Sequence, residues 1–298
     1  MFTRISTFIK VVECGNYTKA AEVVGLSPSA ISRQISQLEE QVEGKLLKRT
    51  ARAVVLTDIG KEYYKNATKI IRDIENLNSS VKSRKNEIKG TLNISVFESF
   101  GHKYVSALIP KFLKKHPNLS IELDLSNQNV DLFTDSYDIA IRVGVPKDSR
   151  LVVRPLIRND MLLCASPNYI AQHGTVHHPN ELLVHNCLSL SRARKKVKWC
   201  FTQKDEEVNV DVCGNLLSAG GQTLIEAAKQ DLGYILLPEW MVHKDLKKGR
   251  LMRCLDGWRA DIGRGQIYVY YLKDKSMQKT IHAFIDFLRQ ELPSRFVI

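Results

Sequence analysis

Residues 27–60 read SPSAISRQISQLEEQVEGKLLKRTARAVVLTDIG, and local signals within them decide the fold of the first part of the chain. Ser27-Pro28 is a helix start: a hydroxyl that can cap the first free N–H groups, then a proline whose fixed φ suits the first helical position. The helix it opens carries Ile31, Ile35, Leu38 and Val42 at three- and four-residue spacing as far as Gly44, the expected C-cap. Next, KLLKRTARAVVLT (45–57) sets a basic tip between two short apolar runs, the pattern of a small β-hairpin, or wing. Thr57-Asp58 then caps a long helix in which Tyr63, Ala67, Ile70, Ile74, Leu77 and Val81 recur at helical spacing. A helix this long has little to pack against within a small domain, so a partner helix from a second subunit is expected.

Upstream, Phe2, Ile5, Phe8, Ile9 and Val12 form one apolar helical face that ends at Gly15-Asn16, so residues 1 to about 88 read as almost continuous helix. A short second helix carries Ala20, Ala21, Val23 and Val24 and stops at Gly25. From Thr18 to Gln37 the spacing is that of a helix-turn-helix. Ala21 permits close helix approach, Gly25 tolerates positive φ in a tight turn, and Ile31 anchors the second helix on the first. Ser29, Ser32, Arg33 and Gln34 are left on the outer face near the start of that second helix. In this motif that end enters the major groove, where Arg can contact guanine bidentately and Ser several base edges. An amphipathic helical hairpin with a solvated polar face has the same spacing, so spacing alone leaves both readings open.

The chain has 298 residues, 44% hydrophobic and 26% charged. That suits two or three compact units with real cores and excludes the disordered class. The formal charge of +12 points to a polyanionic partner, nucleic acid or an anionic membrane surface, although a merely basic soluble protein would share it. Residues 1–89 hold 16 Lys and Arg against 10 Asp and Glu, half of the whole surplus in under a third of the chain. No stretch approaches a transmembrane helix, and MFTRISTFIKVVECG lacks the features of a secretory signal. A cytoplasmic location without a membrane partner is therefore expected. Cys14, Cys164, Cys187, Cys200, Cys213 and Cys254 are scattered and form no C-x-x-C pair. They are expected to be mostly reduced and buried, with no zinc site and no disulfide framework.

The polar run Ser83 to Gly90 makes a hinge-like boundary. Beyond it strands and helices alternate: strand 92–96, helix 102–116, strands 119–125, 138–143, 151–157 and 161–165, and a helix from Pro167. After a more irregular region come helix 219–230, strand 234–237, strand 266–272 and helix 277–291. This order indicates α/β architecture with a parallel sheet.

The 27–60 segment resembles the signature of LysR-type transcriptional regulators, through Ser32-Arg33-Gln34-Ile35, Leu38-Glu39, Leu46-Leu47, Arg49, Leu56-Thr57 and Gly60. The likeness continues through Asp138-Ile139-Ala140-Ile141-Arg142-Val143-Gly144 and Leu163-Cys164-Ala165-Ser166-Pro167-Asn168-Tyr169, and is similar to the subgroup of malate- and virulence-gene regulators. The resemblance implies an all-α winged helix-turn-helix domain (1–58) and a linker and dimerisation helix (59–89). A two-lobed α/β regulatory domain like a type 2 periplasmic binding protein (90–298) would follow, with lobe I at 91–166 and 268–298 and lobe II at 167–267. It implies that Pro28, Ser29, Ser32 and Arg33 face base edges, with Gln34 beside them, and that Lys48, Arg49 and Arg52 form the wing that touches phosphate and the adjacent minor groove. It further implies homodimers paired into homotetramers on an inverted-repeat site in double-stranded DNA. A small-molecule effector is a further expected partner, and RNA polymerase is admitted as another. The effector, or a physicochemical signal, would switch the oligomer geometry on the operator.

For the effector cleft the candidates by analogy are Ser99, Phe100, Asn127, Gly144 and Ser218. Helix starts near Glu98-Gly101 and Ser218-Gly221 could favour an anion through free N–H groups; simple capping and turn-making explain the same residues equally well. Glu98 and Phe97, an acid and a bulky ring beside the site, weigh against a simple anion. Arg142 reads as a structural ion pair rather than a ligand contact. An enzyme is the rival class, yet no G-x-S-x-G, P-loop or dinucleotide fingerprint is present, so no catalytic residue and no cofactor are expected. His173, His177 and His178 have no Cys, Asp or Glu at metal-ligand spacing nearby, which favours a solvated loop over a metal site. The basic run Arg192 to Lys198 reads as a solvated loop before a second nucleic-acid patch or membrane contact, and Tyr268 to Tyr271 as a buried crossing strand.

Overall fold

The computed structural model describes residues 1–49, 54–82, 88–128, 130–133, 135, 137–146, 148–191, 196–261, 265–273, 277–294 and 296–298. The N-terminal unit is α1 (Phe2–Cys14), α2 (Tyr17–Val24), α3 (Pro28–Gln41), the paired strands β1 (Leu47–Arg49) and β2 (Val54–Leu56), and α4 (Asp58–Lys82). Gly15 and Gly25 end the first two helices in left-handed conformation, each returning its N–H to carbonyls of the last turn. Asn16 Oδ1 caps α2 by accepting Lys19 N–H at 2.8 Å, and Ser27 Oγ caps α3 by accepting Ala30 N–H at 3.2 Å. The C-terminus of α3 differs from the expectation. The left-handed residue is Glu43 (φ 52°), and Gly44 instead donates its N–H to Glu39 O at 3.0 Å.

Phe8, Ala20, Ala21, Ile31, Ile35, Leu38 and Leu46 form the core of this unit. Burying each larger apolar side chain contributes roughly 1.5–3 kcal/mol. The long stripe of α4 divides between two environments. Ala67 is buried and Tyr63 meets Phe8 edge-on at 5.5 Å, whereas Ile70 is 52% exposed.

Behind this unit come β3 (Gly90–Val96), then α5 (Glu98–Phe100), a π turn (Gly101–Val105) and α6 (Ser106–Lys115) as one helical stretch. That stretch starts four residues before the sequence expectation because Gly101, which reads as a breaker, has right-handed helical φ and ψ. Then follow β4 (Leu119–Leu125), β5 (Ile139–Val143), β6 (Leu151–Ile157), β7 (Met161–Ala165), α7 (Pro167–His173), a 3₁₀ turn (Pro179–Val184), β8 (Cys187–Leu190), β9 (Lys196–Gln203), β10 (Glu206–Cys213) and β11 (Leu217–Ser218). The chain closes with α8 (Gly221–Lys229), β12 (Tyr234–Pro238), α9 (Glu239–Lys247), β13 (Met252–Cys254), β14 (Arg259–Asp261), β15 (Ile267–Leu272) and α10 (Gln278–Glu291).

One sheet has the order β4-β3-β5-β15-β6, parallel through β4, β3 and β5 and antiparallel at β15. The other runs β10-β9-β14-β7-β12-β8-β11, with β13 also paired to β7. This corrects the lobe boundary. Residues 161–165, expected in lobe I, pair with β12, β13 and β14 of lobe II. The crossing therefore lies at Arg158–Asp160, between β6 and β7, where a polar triplet interrupts two apolar strands. Tyr270 and Tyr271 of β15 are buried between β5 and β6, and Tyr268 is half-buried. Among the described residues β15 pairs only within the first sheet, so the expected crossing strand is an interior strand of lobe I.

Cys164, Cys187 and Cys254 are buried, Cys14 and Cys200 half-buried, and Cys213 exposed, so burial holds for only half of the thiols. Cys213 ends β10, where the side chains of Asp211 and Cys213 face out while Val210 and Val212 face in. His173 stacks on Tyr169 with ring centroids 4.2 Å apart, and His178 meets Trp258 edge-on at 5.3 Å. No helix among the described residues is long and apolar enough to cross a membrane. The basic run 192–195 lies outside the described residues.

Candidate nucleic-acid interface and effector cleft

On α3 the residues facing away from the core are Ser29, Arg33, Ser36 and Glu40, a stripe at helical spacing, with Pro28 exposed at its N-terminal end. Ser32 is half-buried at the edge of the stripe. Gln34 points elsewhere: its Oε1 accepts the hydroxyl of buried Thr7 at 2.6 Å, which ties α3 to α1. Ser36, three residues beyond Arg33 on the open face, was not among the expected DNA contacts. The three-residue spacing from Arg33 was the available signal.

The wing is fixed to α3 by one buried carboxylate. Glu39 Oε1 accepts the backbone N–H groups of Leu46 at 2.9 Å and Leu47 at 3.1 Å, and Oε2 receives Lys45 Nζ at 2.7 Å. Thr57 joins the far side of the wing. Its hydroxyl donates to Lys45 O at 2.6 Å and accepts Gly60 N–H at 2.8 Å, so one side chain pins the loop and caps α4. Gly60 packs on the same segment so closely that a Cβ there would sit 1.9 Å from Leu46 O. Lys48 is exposed on β1; Arg49 belongs to the same strand, and Arg52 lies outside the described residues.

A second site lies between the two lobes. The carboxyl ends of the parallel strands β3, β4 and β5 face those of β8, β11 and β12, which are also mutually parallel. Ligand clefts in α/β folds form at such ends. The cavity between them has a volume of about 120 Å³. Phe97, Val143, Met161, Trp240 and Met241 make its walls largely apolar, and Ser99, Asn127 and Asn159 are its polar groups. Both amides are committed to the protein. Asn127 accepts Glu98 N–H at 3.2 Å and donates to the Glu98 carboxylate at 3.0 Å. Asn159 accepts Trp240 Nε1–H at 2.9 Å and donates to Gly265 O at 3.0 Å. Two bonds cross the cleft behind the cavity: Lys103 Nζ to Met241 O at 2.6 Å, and Tyr104 OH to Trp240 O at 3.0 Å.

Of the five effector candidates, Ser99 and Asn127 line this cavity. Phe100 does not; it is fully buried, stacked on Phe97 at 5.6 Å and edge-on to Trp240 at 5.6 Å. A ligand here meets Phe97, and Phe100 supports that ring from the core. Gly144 is one residue beyond the wall, in left-handed conformation, with its carbonyl accepting the Tyr270 hydroxyl. Ser218 closes a local turn onto Gly220 N–H at 3.1 Å. The residues missed by sequence reasoning include Asn159 of the crossing and Met161, Trp240 and Met241, which arrive from lobe II; none carries a local motif. Arg142 bonds Ser95 Oγ at 2.7 Å, Ile141 O at 2.9 Å and Gln128 O at 3.2 Å. Among the described residues it makes no ion pair, a correction to the expected structural salt bridge. Its strand neighbours offer hydroxyl and carbonyl oxygens, while Asp124 is taken up by Tyr137 OH at 2.8 Å.

Comparison with known proteins assigns both parts of the chain to one family. Residues 2–61 match the model of the bacterial regulatory helix-turn-helix protein, lysR family, and residues 85–293 match the LysR substrate binding domain. The chain is 32% identical over 267 residues to an uncharacterized HTH-type transcriptional regulator of Haemophilus influenzae, covering 90% of this chain and 92% of that one. It is 30% identical to the HTH-type transcriptional regulator PtxR of Pseudomonas aeruginosa over 96% of this chain and 91% of that one. Among solved structures it is similar to the full-length Vibrio cholerae virulence activator AphB. That match has a TM-score of 0.62 and 27% identity, over 97% of this chain and 98% of the other.

Proposed function

The chain belongs to the LysR family of DNA-binding transcription regulators, and from that premise we propose which of its residues read DNA and what its regulatory domain senses. LysR-type regulators bind DNA and small-molecule effectors and form oligomers. In our reading residues 1–58 bind DNA, 59–89 link and dimerise, and 90–298 regulate. Ser29, Ser32, Arg33 and Ser36 read base edges from α3, with Pro28 setting the entry of the helix. Lys48, with Arg49 and Arg52 of the wing, meets phosphate and sets affinity and register rather than sequence preference. Gln34 acts through its bond to Thr7 as a positioning residue. The observation that carries this assignment is the exposed stripe of α3 running from Ser29 through Arg33 to Ser36, beside exposed Lys48.

Two reading heads related by a two-fold axis call for an inverted-repeat operator. Exposed Ile70 on α4 supports a helix-to-helix dimer, with a further pairing into tetramers and a contact with RNA polymerase as later steps. The protein works in the cytoplasm, and the reading includes no enzymatic step.

The effector is a small, largely apolar molecule without net charge. The committed amides of Asn127 and Asn159 leave Ser99 as the hydroxyl to hold it, and no cation among the described residues lines the cavity. Binding shifts the closure of the lobes, which α4 feels through the Lys65–Asp135 ion pair and the bond from Lys69 Nζ to Phe133 O. This is a two-state coupling in which the effector prefers one lobe arrangement. The decisive experiment is genome-wide footprinting of the purified protein with and without candidate small molecules. Protected inverted repeats whose footprint changes length with a neutral effector support the reading, and protection without sequence preference overturns it.

A further inference from the structure

A second cavity, of about 670 Å³, adjoins the inter-lobe cleft on the outer face of the first sheet. Phe97, Asn127 and Val143 line both cavities and form the partition between them. The residues of β5 alternate across the sheet. Ile139 and Ile141 bury into the main core, while Ala140 and Arg142 belong to the other face, where Leu132, Ala140 and Tyr270 form a separate small cluster. The walls of the second cavity come from that cluster and the turn beside it: Val130, Leu132, Val143, Val145, Leu151 and the Tyr270 ring.

Among the described residues one charge faces this apolar space. Arg142 is the charged residue of the wall, and its bonds to Ser95, Ile141 and Gln128 all go to neutral oxygens. Its Nε is buried and has no acceptor among the described residues. Burial holds the guanidinium below its ordinary pKa. Asp124, which accepts from Ser95 Oγ at 3.3 Å and so stands one hydroxyl away, opposes that shift without meeting the guanidinium directly. Among the described residues Tyr270 is the other titratable group of the wall; burial pushes its hydroxyl up to about 12, so it stays neutral, and it donates to Gly144 O. A cation partly removed from water and bonded only to neutral groups gains more from an anion than an exposed arginine does. The walls in turn favour an anion that carries a hydrocarbon body.

We propose that this cavity binds a small apolar monocarboxylate, its carboxylate on Arg142 and its body against Leu132, Val145, Leu151 and Tyr270. The site is distinct from the neutral cleft and takes a different ligand class. Phe97 joins the two, because the ring that partitions them also stacks on Phe100 and meets Trp240 edge-on at 6.0 Å. An occupant of the second cavity therefore bears on the same aromatic contact that holds the lobes together. Inorganic phosphate or sulfate would bring the charge without filling the apolar walls.

Benzoate is the probe, titrated calorimetrically into the full-length chain, with benzamide as the neutral molecule of the same shape. Saturable benzoate binding is expected, weakened about tenfold or more for benzamide and in Arg142→Gln, the loss of one charge-assisted contact. Val145→Trp fills the cavity from a position that is 65% exposed and is expected to abolish binding without touching Arg142. It carries the test if Arg142→Gln fails to fold by circular dichroism. Ala219→Trp fills the cleft instead. Retained benzoate binding in that variant places the ligand in the second cavity, and its loss places benzoate in the cleft and overturns the proposal. Equal affinity for benzamide, or no saturation at all, overturns it as well. The assignment of the cleft to a neutral effector stands or falls separately, on its own footprinting result.

Discussion

Glu39 Oε1 accepts the backbone N–H of Leu46 at 2.9 Å across the junction between the recognition helix and the wing. Two of the signature pairs in the sequence, Leu38-Glu39 and Leu46-Leu47, are thus a single structural device. Leu38, Leu46 and Leu47 bury while the carboxylate satisfies the amides that their burial takes from water.

Glu39→Ala leaves those amides without an acceptor and should destabilise the N-terminal unit by about 1–3 kcal/mol in urea unfolding. Glu39→Gln keeps an acceptor oxygen and should cost less. Equal losses in the two variants would assign the effect to something other than these hydrogen bonds.

The same carboxyl makes wing attachment depend on pH. Burial alone would raise its pKa, but the hydrogen bonds from Lys45, Leu47 and Leu46 outweigh it and hold the folded value below the ordinary one. The stabilisation is therefore complete above the unfolded glutamate pKa of about 4.3 and fades as the pH falls through the folded value. Acid unfolding of wild type and Glu39→Gln should converge at low pH; curves that stay parallel contradict this.

Gly60→Ala puts a methyl where Leu46 O now sits, 1.9 Å away. Backbone has to move, and we expect a loss of about 2 kcal/mol or more together with weakened DNA binding. A melting temperature within a degree of wild type would show that the α4–wing contact relaxes freely.

Arg33→Ala should remove roughly 1–3 kcal/mol of discrimination between operator and random DNA at fixed salt. Lys48→Ala should weaken both alike and reduce the salt slope by about one. Parallel losses on both DNAs for Arg33→Ala would transfer it from base reading to phosphate contact.

Ile70→Glu puts a charge on an exposed apolar position in the middle of α4 and should dissociate the oligomer, as seen by light scattering at micromolar concentration. An unchanged mass in that variant would place the dimer contact elsewhere.

Under native conditions a thiol reagent should modify Cys213 first, because it is exposed. Cys254, which burial raises to about 11, and Cys187, raised to about 12, should wait for unfolding. Early loss of Cys187 would reveal local opening around β8.

The N-terminal unit was legible in the sequence because its information is local. Gly15, Asn16, Gly25 and Ser27-Pro28 each specify a helix end within a few residues, and Ala21 and Ile31 meet across one short turn. β3 to β7, β12 and β15 were legible for the same reason, from apolar runs between polar breaks. β8 to β11, β13 and β14 were not, because their polar and apolar residues mix and only pairing with neighbouring strands defines them. The roles of Gln34 and Arg142 were not. Both are polar residues on amphipathic elements, and only the packing of α3 on α1, or of β5 beside β3, decides which oxygen each one meets. The cleft was hidden most of all. Phe97 and Trp240 come from opposite halves of the regulatory sequence and meet only because two sets of parallel strands point their carboxyl ends at each other. Sequence alone determined the helix ends and their spacing, since capping and periodicity act over a few residues. The family signature in residues 27–60 turned that spacing into a helix-turn-helix and implied the type of domain behind it. The lobe boundary at Arg158–Asp160, the neutral lining of the cleft and the cation of the second cavity were decided by tertiary structure, because long-range strand pairing selects which side chains share a wall.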